Sequence, residues 1–356
     1  MKITSTDAWV ESFELTRPYT IAYKTFDSVE NVIVKIQTDR GMIGVGAAAP
    51  VAEVTGETFQ VCKRSLVDGQ LDWLIGKDIR ELPALCRENR RRNAATPAAG
   101  AAVDMALHDL SAQALGIPLV DMLGRAHQTL PTSITIGIKS LPETLAEAEE
   151  YLGRGFRILK VKLGQSLEED LERLHKLREK VGKEIGIRVD PNQGYSRQEV
   201  SEFVEATRLL GIELLEQPMK AEDVQGMRNL PEKVRRLVVA DESLLTDRDA
   251  LSLVSPPKAC GVFNIKLMKC GGIHSALRIA TVAELADVEL MWGCMDESRI
   301  SIAAALHAAL SCPATRYLDL DGSFDLGRDV VEGGFILEDG FMRPTEQSGL
   351  GVHLQE

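Results

Sequence analysis

The chain has 356 residues, 44% hydrophobic and 26% charged, with a formal net charge of −12. That length suits one large domain plus a smaller one, and the composition is that of a soluble globular enzyme. The acidic balance disfavours nucleic acid and anionic membranes as partners, and no stretch approaches the ~18 consecutive apolar residues of a membrane span. The six cysteines form no C-x-x-C pair and no zinc-ligand spacing with a histidine, which predicts reduced thiols and a cytoplasmic location. The opening MKITSTDAWVESFEL contains no apolar signal region.

Residues 1–49 read as strands. VENVIVKIQTDRGMIGVGAA carries β-branched runs on both sides of Asp39-Arg40-Gly41, a hairpin signal. Residues 53–123 read as helices. In TPAAGAAVDMALHDLSAQALG the pattern predicts Thr96 as N-cap, Pro97 at the first helical position and Gly116 as the stop. The alanine density of this helix predicts a close-packed neighbour. Residues 1–125 therefore form an α+β module.

From about residue 126 the texture changes to strands alternating with amphipathic helices, the pattern of a parallel sheet. Strands are expected near TSITIGI (132–138), FRILKVK (156–162), IGIRVD (185–190), IELLEQ (212–217), LVVAD (237–241), GVFNIK (261–266), VELMWG (288–293) and RYLDLD (316–321). Eight strands over 126–327 predict a barrel with one helix degenerate. Residues 328–356 return to a Gly-rich, strand-like texture and are expected to pack back on the first module.

Ionisable residues recur where these strands end: Lys162, Asp190, Glu216, Asp241 and Lys266, at a spacing of roughly 25 residues, the length of one βα unit. A single charge at a strand end is commonplace, because loops begin there. Five in the order Lys, Asp, Glu, Asp, Lys around a closed ring are not, since barrel enzymes build their sites at that face. Converging carboxylates repel one another and raise each other's pKa. A divalent cation resolves this, and oxygen ligands suit one Mg²⁺, or Mn²⁺, better than zinc. Asp190, Glu216 and Asp241 are thus the expected metal ligands, flanked by Lys162 and Lys266. Lys160 shares a strand face with Lys162 and is a cation able to keep it reactive. This layout suits removal of the proton α to a metal-bound carboxylate, through an enediolate, with one lysine as base and the other as conjugate acid.

KVK, VDPNQGY, LLEQP, ADES and NIKLMKCGGI, in this order and spacing, resemble the enolase superfamily, and its muconate lactonizing enzyme subgroup in particular. The resemblance covers essentially the whole chain. It implies an α/β fold, a modified TIM barrel (β/α)₇β under an N-terminal α+β capping domain. RYLDLDGSF further resembles the dipeptide epimerases, in which such an Asp-x-Asp pair binds the substrate's α-ammonium group. Asp319 and Asp321 lie two apart on one strand face, and two carboxylates suit one ammonium. A pair of solvated strand-end acids is the plainer alternative.

The resemblance implies a Mg²⁺-dependent epimerase that inverts the α-carbon of the C-terminal residue of an L,L-dipeptide by two-base proton transfer between Lys162 and Lys266. Lys160 would contact the substrate carboxylate or tune Lys162, and Thr135 would face the substrate. Asn192 would support the ligands from behind, and Glu242 would either do the same or form a salt bridge. By analogy a homo-oligomer is expected. Two departures stand out. GVGAAAP (44–50) has Ala47 where many relatives carry an acid, and Pro191 and Tyr195 replace the Ala and Trp of D-A-N-Q-G-W.

Side-chain preference turns on three residues. Asp296 in GCMDES and Glu53 offer carboxylates to a cationic substrate side chain, whereas Lys24 offers a cation, as an Ala-Glu-type epimerase requires. Asp296 lies nearer the barrel mouth, which favours a cationic or broad preference. The alternatives are an N-acyl amino acid racemase, an o-succinylbenzoate synthase or a cycloisomerase of the same subgroup, and a barrel that binds without catalysis. An N-acylated or aromatic acid has no ammonium for Asp319 and Asp321, so burying two acids there would be penalised. His108, His175, His274 and His307 fall in helices with no spacing that joins them into a site.

Overall fold

The computed structural model describes the backbone of residues 1–21 and 24–355, with side chains described outside 18–26. The chain opens with a three-stranded antiparallel sheet of β1 (Ile3–Ile21), β2 (Lys24–Thr38) and β3 (Ile43–Ala48). The turn between β2 and β3 is the predicted one, with Gly41 at a φ of 75°. The predicted alanine-rich helix spans Pro97–Leu115 and lies on β3. A Cβ on Gly46 would come 1.8 Å from the carbonyl oxygen of Ala102, and one on Gly44 would come 2.3 Å from that of Ala106. Positions two apart on a strand and four apart on a helix each share a face. The GVG of the strand and the alanines of the helix therefore form one backbone-to-backbone contact that any larger residue would push apart.

The start of this helix departs from expectation. The Thr96 hydroxyl donates to Asn93 Oδ1 (3.1 Å) rather than capping the helix. The buried carboxylate of Glu57 instead accepts from the N–H groups of Ala98 (2.7 Å) and Ala99 (3.3 Å). Free N–H groups and the helix dipole favour a carboxylate there. Glu57 lies 41 residues upstream of Ala98, so no local pattern could announce it.

After the short β4 (Leu130–Pro131) come eight strands in sequence order: β5 (Ile134–Ile136), β6 (Ile158–Lys162), β7 (Gly186–Asp190), β8 (Ile212–Glu216), β9 (Val238–Ala240), β10 (Val262–Ile265), β11 (Glu289–Gly293) and β12 (Thr315–Asp319). All the pairings between them are parallel. A parallel bridge between Thr132 and Leu318 brings the two ends of the sheet together. Burial on both faces explains why the strands read as continuous apolar runs. Helices follow β5 through β11, and among the described residues none follows β12, which gives (β/α)₇β.

The chain ends with β13 (Val331–Gly333), β14 (Phe335–Glu338), β15 (Phe341–Pro344) and β16 (Val352–Leu354). β13 pairs with β16, and β15 pairs with β14 and β4. This segment touches both larger parts. The Leu350 N–H donates to Asp109 (2.8 Å) on the alanine-rich helix, and Arg299 on the last barrel helix donates to the carbonyls of Gly333 (2.9 Å) and Phe335 (3.1 Å). No helix among the described residues is long and apolar enough to cross a membrane.

His307 sits fully buried at this junction. Its Nδ1 accepts from the Val120 N–H (2.9 Å), and its Nε2 lies 3.4 Å from the Leu350 carbonyl. Both bonds need a neutral ring, because a protonated Nδ1 would face another donor. Burial lowers its pKa to about 4. The unfolded histidine takes up a proton below its ordinary pKa of 6.5 and the folded one does not. Stability is therefore fully present above that value and is lost as pH falls to about 4, by up to about 3 kcal/mol. Urea unfolding between pH 7 and 4 should show a falling midpoint in the wild type and a shallower fall in His307→Gln. Equal slopes would refute the assignment.

Candidate active site

The carboxyl ends of the barrel strands meet in a cavity of about 1070 Å³, open solvent included. β6, β7, β8 and β12 end on Lys162, Asp190, Glu216 and Asp319, while Asp241 and Lys266 directly follow β9 and β10. In register, Lys162 lies beside Asp190 and Lys160 beside Thr135. Strand alternation turns Lys160 and Lys162 to the same inner face. The five ionisable residues expected at the strand ends are thus brought together.

They form one buried network. Lys160 Nζ lies 2.8 Å from Glu216 Oε2, 2.8 Å from Asp319 Oδ2 and 3.4 Å from Asp190 Oδ2. Lys162 Nζ lies 2.6 Å from Asp190 Oδ2, and Lys266 Nζ lies 2.8 Å from Asp241 Oδ2. The Asn192 N–H donates to Asp190 Oδ1 (2.8 Å), and its side-chain amide reaches Glu242 Oε1 at 3.5 Å. Burial, opposed by Lys160, pushes the Glu216 carboxyl up to about 8. Burial and the neighbouring Asp241 push Glu242 up to about 7.

The donor set fits a hard divalent cation. Asp190, Glu216 and Asp241 converge as buried oxygen donors, with Glu242 beside them. Glu242 Oε2 and the side-chain oxygens of Asn192 and Asn264 are buried without a hydrogen-bond partner. Buried oxygens without partners are costly, and a cation or its bound waters would satisfy them.

The Asp319–Asp321 pair stands beside this network. Asp319 Oδ1 accepts from the Ser133 hydroxyl (2.6 Å), and Asp321 Oδ2 accepts from the Thr135 N–H (2.7 Å). Burial works against the Asp319 charge, but Lys160 overrides it and holds the carboxyl below its usual range. Burial and the Asp319 charge push Asp321 up to about 7. Asp321 is therefore the carboxylate of the pair that most needs a cation.

Asp296 also lines the cavity, half-buried. Its loop is held from the capping sheet. Asn31, fully buried on β2, donates to the Asp296 carbonyl (3.4 Å) and accepts from the Ser298 N–H (2.9 Å). Glu53 is exposed and does not line the cavity, and Ala47 is buried away from it. The side chain of Lys24 lies outside the described residues. Gly271 and Gly272, at φ 85° and 107°, turn the chain from the helix Leu267–Cys270 into the helix Ile273–Leu285.

Other participants carry little signal of their own in the sequence. Lys269 is buried against Asp241, and Asn264 donates to Glu216 Oε1 (2.9 Å). Gln217 takes a strained φ of 27°, and its side-chain oxygen accepts from the Asp241 N–H (3.0 Å) and the Ser243 hydroxyl (2.8 Å). Such strain persists only where surrounding bonds over-determine it. In the outer wall Arg17 bonds Glu147 (3.0 Å) and Glu150 (2.7 Å). Only the K-x-x-K spacing of Lys266 and Lys269, one helical turn, could have hinted at any of these.

Two family models match the chain: "Mandelate racemase / muconate lactonizing enzyme, N-terminal domain" over residues 5–124 and "Enolase C-terminal domain-like" over residues 143–356. An L-Lys-D/L-Arg epimerase from Methylococcus capsulatus is 59% identical over 99% of both chains, and one from Desulforapulum autotrophicum is 56% identical over 99% of both. An L-Ala-D/L-Glu epimerase from Clostridium acetobutylicum is 35% identical over 96% of both. Among solved structures, the Methylococcus capsulatus dipeptide epimerase complexed with Mg and the dipeptide L-Arg-D-Lys superposes with a TM-score of 0.98, at 59% identity and 99% coverage of both chains.

Proposed function

The chain belongs to the mandelate racemase/muconate lactonizing enzyme family of the enolase superfamily, and on that premise we propose that it is a Mg²⁺-dependent isomerase that epimerises dipeptides bearing cationic side chains, Lys and Arg above all. The observation that carries the reading is the Asp319–Asp321 pair set directly beside a lysine–carboxylate network that keeps buried oxygens without partners. One part suits a substrate ammonium and the other a metal-bound carboxylate.

Asp190, Glu216 and Asp241 would hold the Mg²⁺. Bound there, the ion supplies positive charge to the substrate carboxylate as the α-proton leaves. Lys162 and Lys266 exchange that proton, one removing it and the other returning a proton to the opposite side. Burial opposes the charge on Lys266, but Asp241 and Glu216 override it and hold its pKa above the usual lysine range. An ion bound there would offset those carboxylates, and burial and the Lys160 charge, which both lower the Lys266 pKa, would then bring it towards the range of a base. Lys160 ties Asp319 to Glu216 and so keeps the ammonium site in register with the metal ligands. Asp319 and Asp321 hold the α-ammonium group, and Asp296 faces a cationic side chain. The six free thiols suit the reducing cytoplasm.

An Ala-Glu preference is the second reading, carried by the 35% identical relative. Against it, Arg17 in the cavity wall already bonds Glu147 and Glu150, so its charge is not free to recruit an acidic side chain. Incubating a dipeptide library with enzyme and Mg²⁺ in deuterium oxide tests the proposal, with α-deuteration read by mass spectrometry. Lys- and Arg-containing dipeptides should exchange fastest. A preference for glutamate-bearing dipeptides would overturn the specificity, and exchange with none would overturn the activity.

Asp321→Asn separates ammonium binding from metal binding. Losing one charge-assisted bond of about 1.5–3 kcal/mol should raise KM for free dipeptides by roughly 10- to 150-fold. Mg²⁺ affinity should stay within about twofold of the wild type. An equal loss of both would assign Asp321 a structural role.

A further inference from the structure

Lys269 is the most deeply buried lysine of the site. It lies in the short helix Leu267–Cys270, and its side chain is 0% exposed. Unlike Lys160, Lys162 and Lys266 it does not line the cavity. Its ammonium group has three donors and three acceptors around it: Asp241 Oδ1, the Asp241 carbonyl (2.6 Å) and the Asn264 carbonyl (3.0 Å). No donor is left to reach a substrate.

The two oxygens of Asp241 are thereby divided. Oδ1 is held from behind by Lys269, while Oδ2 faces Lys266 at 2.8 Å on the cavity side. The backbone is held by the same ammonium, since Lys269 also grips the Asp241 carbonyl, and Gln217 accepts from the Asp241 N–H. A buried carboxylate with one oxygen unpaired would be free to turn about its last bond towards any other donor. Lys269 removes that freedom.

We infer that Lys269 is a positioning residue, fixing Asp241 by its rear oxygen and its carbonyl so that one oxygen, Oδ2, is presented to the cation. This rests on Asp241 being a metal ligand. The paired carbonyl of Asn264 extends the same restraint. Asn264 donates from its side chain to Glu216 Oε1 (2.9 Å) and lies one residue before the strand end that leads to Lys266. One ammonium thus sets the orientation of two expected ligands, on β8 and after β9.

The test is calorimetric titration of the full-length apoprotein with Mg²⁺ alone, for the wild type, Lys269→Met, Asp241→Asn and the double variant. Lys269→Met should weaken Mg²⁺ binding by roughly 10- to 100-fold, the usual effect of removing a group that orients a ligand. In the Asp241→Asn background the same change should cost less than about threefold, because its direct target is already gone and only the restraint through Asn264 remains. At saturating Mg²⁺, kcat of the single variant should recover most of its loss, which it would not if Lys269 moved a proton. Wild-type Mg²⁺ affinity in Lys269→Met, or losses that simply multiply in the double variant, would overturn the inference. A purely structural lysine would lower Tm and leave Mg²⁺ affinity intact, which would equally overturn it. Should Lys269→Met not fold, Lys269→Gln keeps two donors and should weaken binding less, in the same direction; unchanged affinity there would also count against it. Wild-type affinity in Asp241→Asn would instead refute the ligand assignment, whatever Lys269 does.

Discussion

Replacing Lys162 or Lys266 by alanine should lower epimerisation by roughly 10²- to 10⁴-fold, the usual worth of a positioned acid or base, while each variant keeps one half of the chemistry. The two ammonium groups approach the cavity from β6 and from the end of β10, on different carboxylates, Asp190 and Asp241. Each therefore serves one side of a substrate bound between them. In deuterium oxide the wild type should exchange the α-proton of both diastereomers of a Lys- or Arg-containing dipeptide. The Lys162→Ala enzyme should exchange only one diastereomer, and Lys266→Ala only the other, each without inversion. A variant that kept full turnover, or two variants that exchanged the same diastereomer, would sink the two-base assignment.

Glu216→Gln should move stability and metal binding in different directions. In the apoprotein burial pushes Glu216 up to about 8. A carboxyl with a raised folded pKa costs stability increasingly as pH climbs from its ordinary value towards the raised one. Glutamine, neutral throughout, avoids that cost, and its single oxygen keeps one of the two contacts that Glu216 makes through Oε2 to Lys160 and Oε1 to Asn264. The apo variant should therefore unfold at a Tm equal to or above the wild type near pH 8. Removing one of three expected ligands should at the same time abolish the rise in Tm on adding Mg²⁺ and reduce turnover below detection. Thermal unfolding with and without Mg²⁺ reads both effects. A wild-type metal-induced rise in the variant would exclude Glu216 from the ligand set.

The barrel and the strand-end residues could be read from the sequence because the information is local. A parallel strand buried on both faces is an unbroken apolar run, and its last residue is where polarity returns. That boundary marks Lys162, Asp190 and Glu216 directly, and Asp241 and Lys266 to within one residue. What the sequence hid was contact between elements far apart in the chain. Lys269 meets Asp241 across 28 positions, Arg17 meets Glu147 across 130, and Asn31 meets Ser298 across 267. None of these pairs shares a periodicity. Glu57 illustrates the same limit. The helix start was visible at Thr96 and Pro97, but the group that satisfies its N–H donors arrives from another element.

The Asn31 clamp has a consequence for how this enzyme could diverge or be redesigned. The loop bearing Asp296 takes its shape from an amide that belongs to the other domain and spends both ends on that loop's backbone. A loop transplanted alone from a relative of different preference would arrive without the partner that moulds it. Recombination within this family should therefore succeed when residue 31 travels with the barrel loop, and selectivity should be inherited as that pair rather than as either piece.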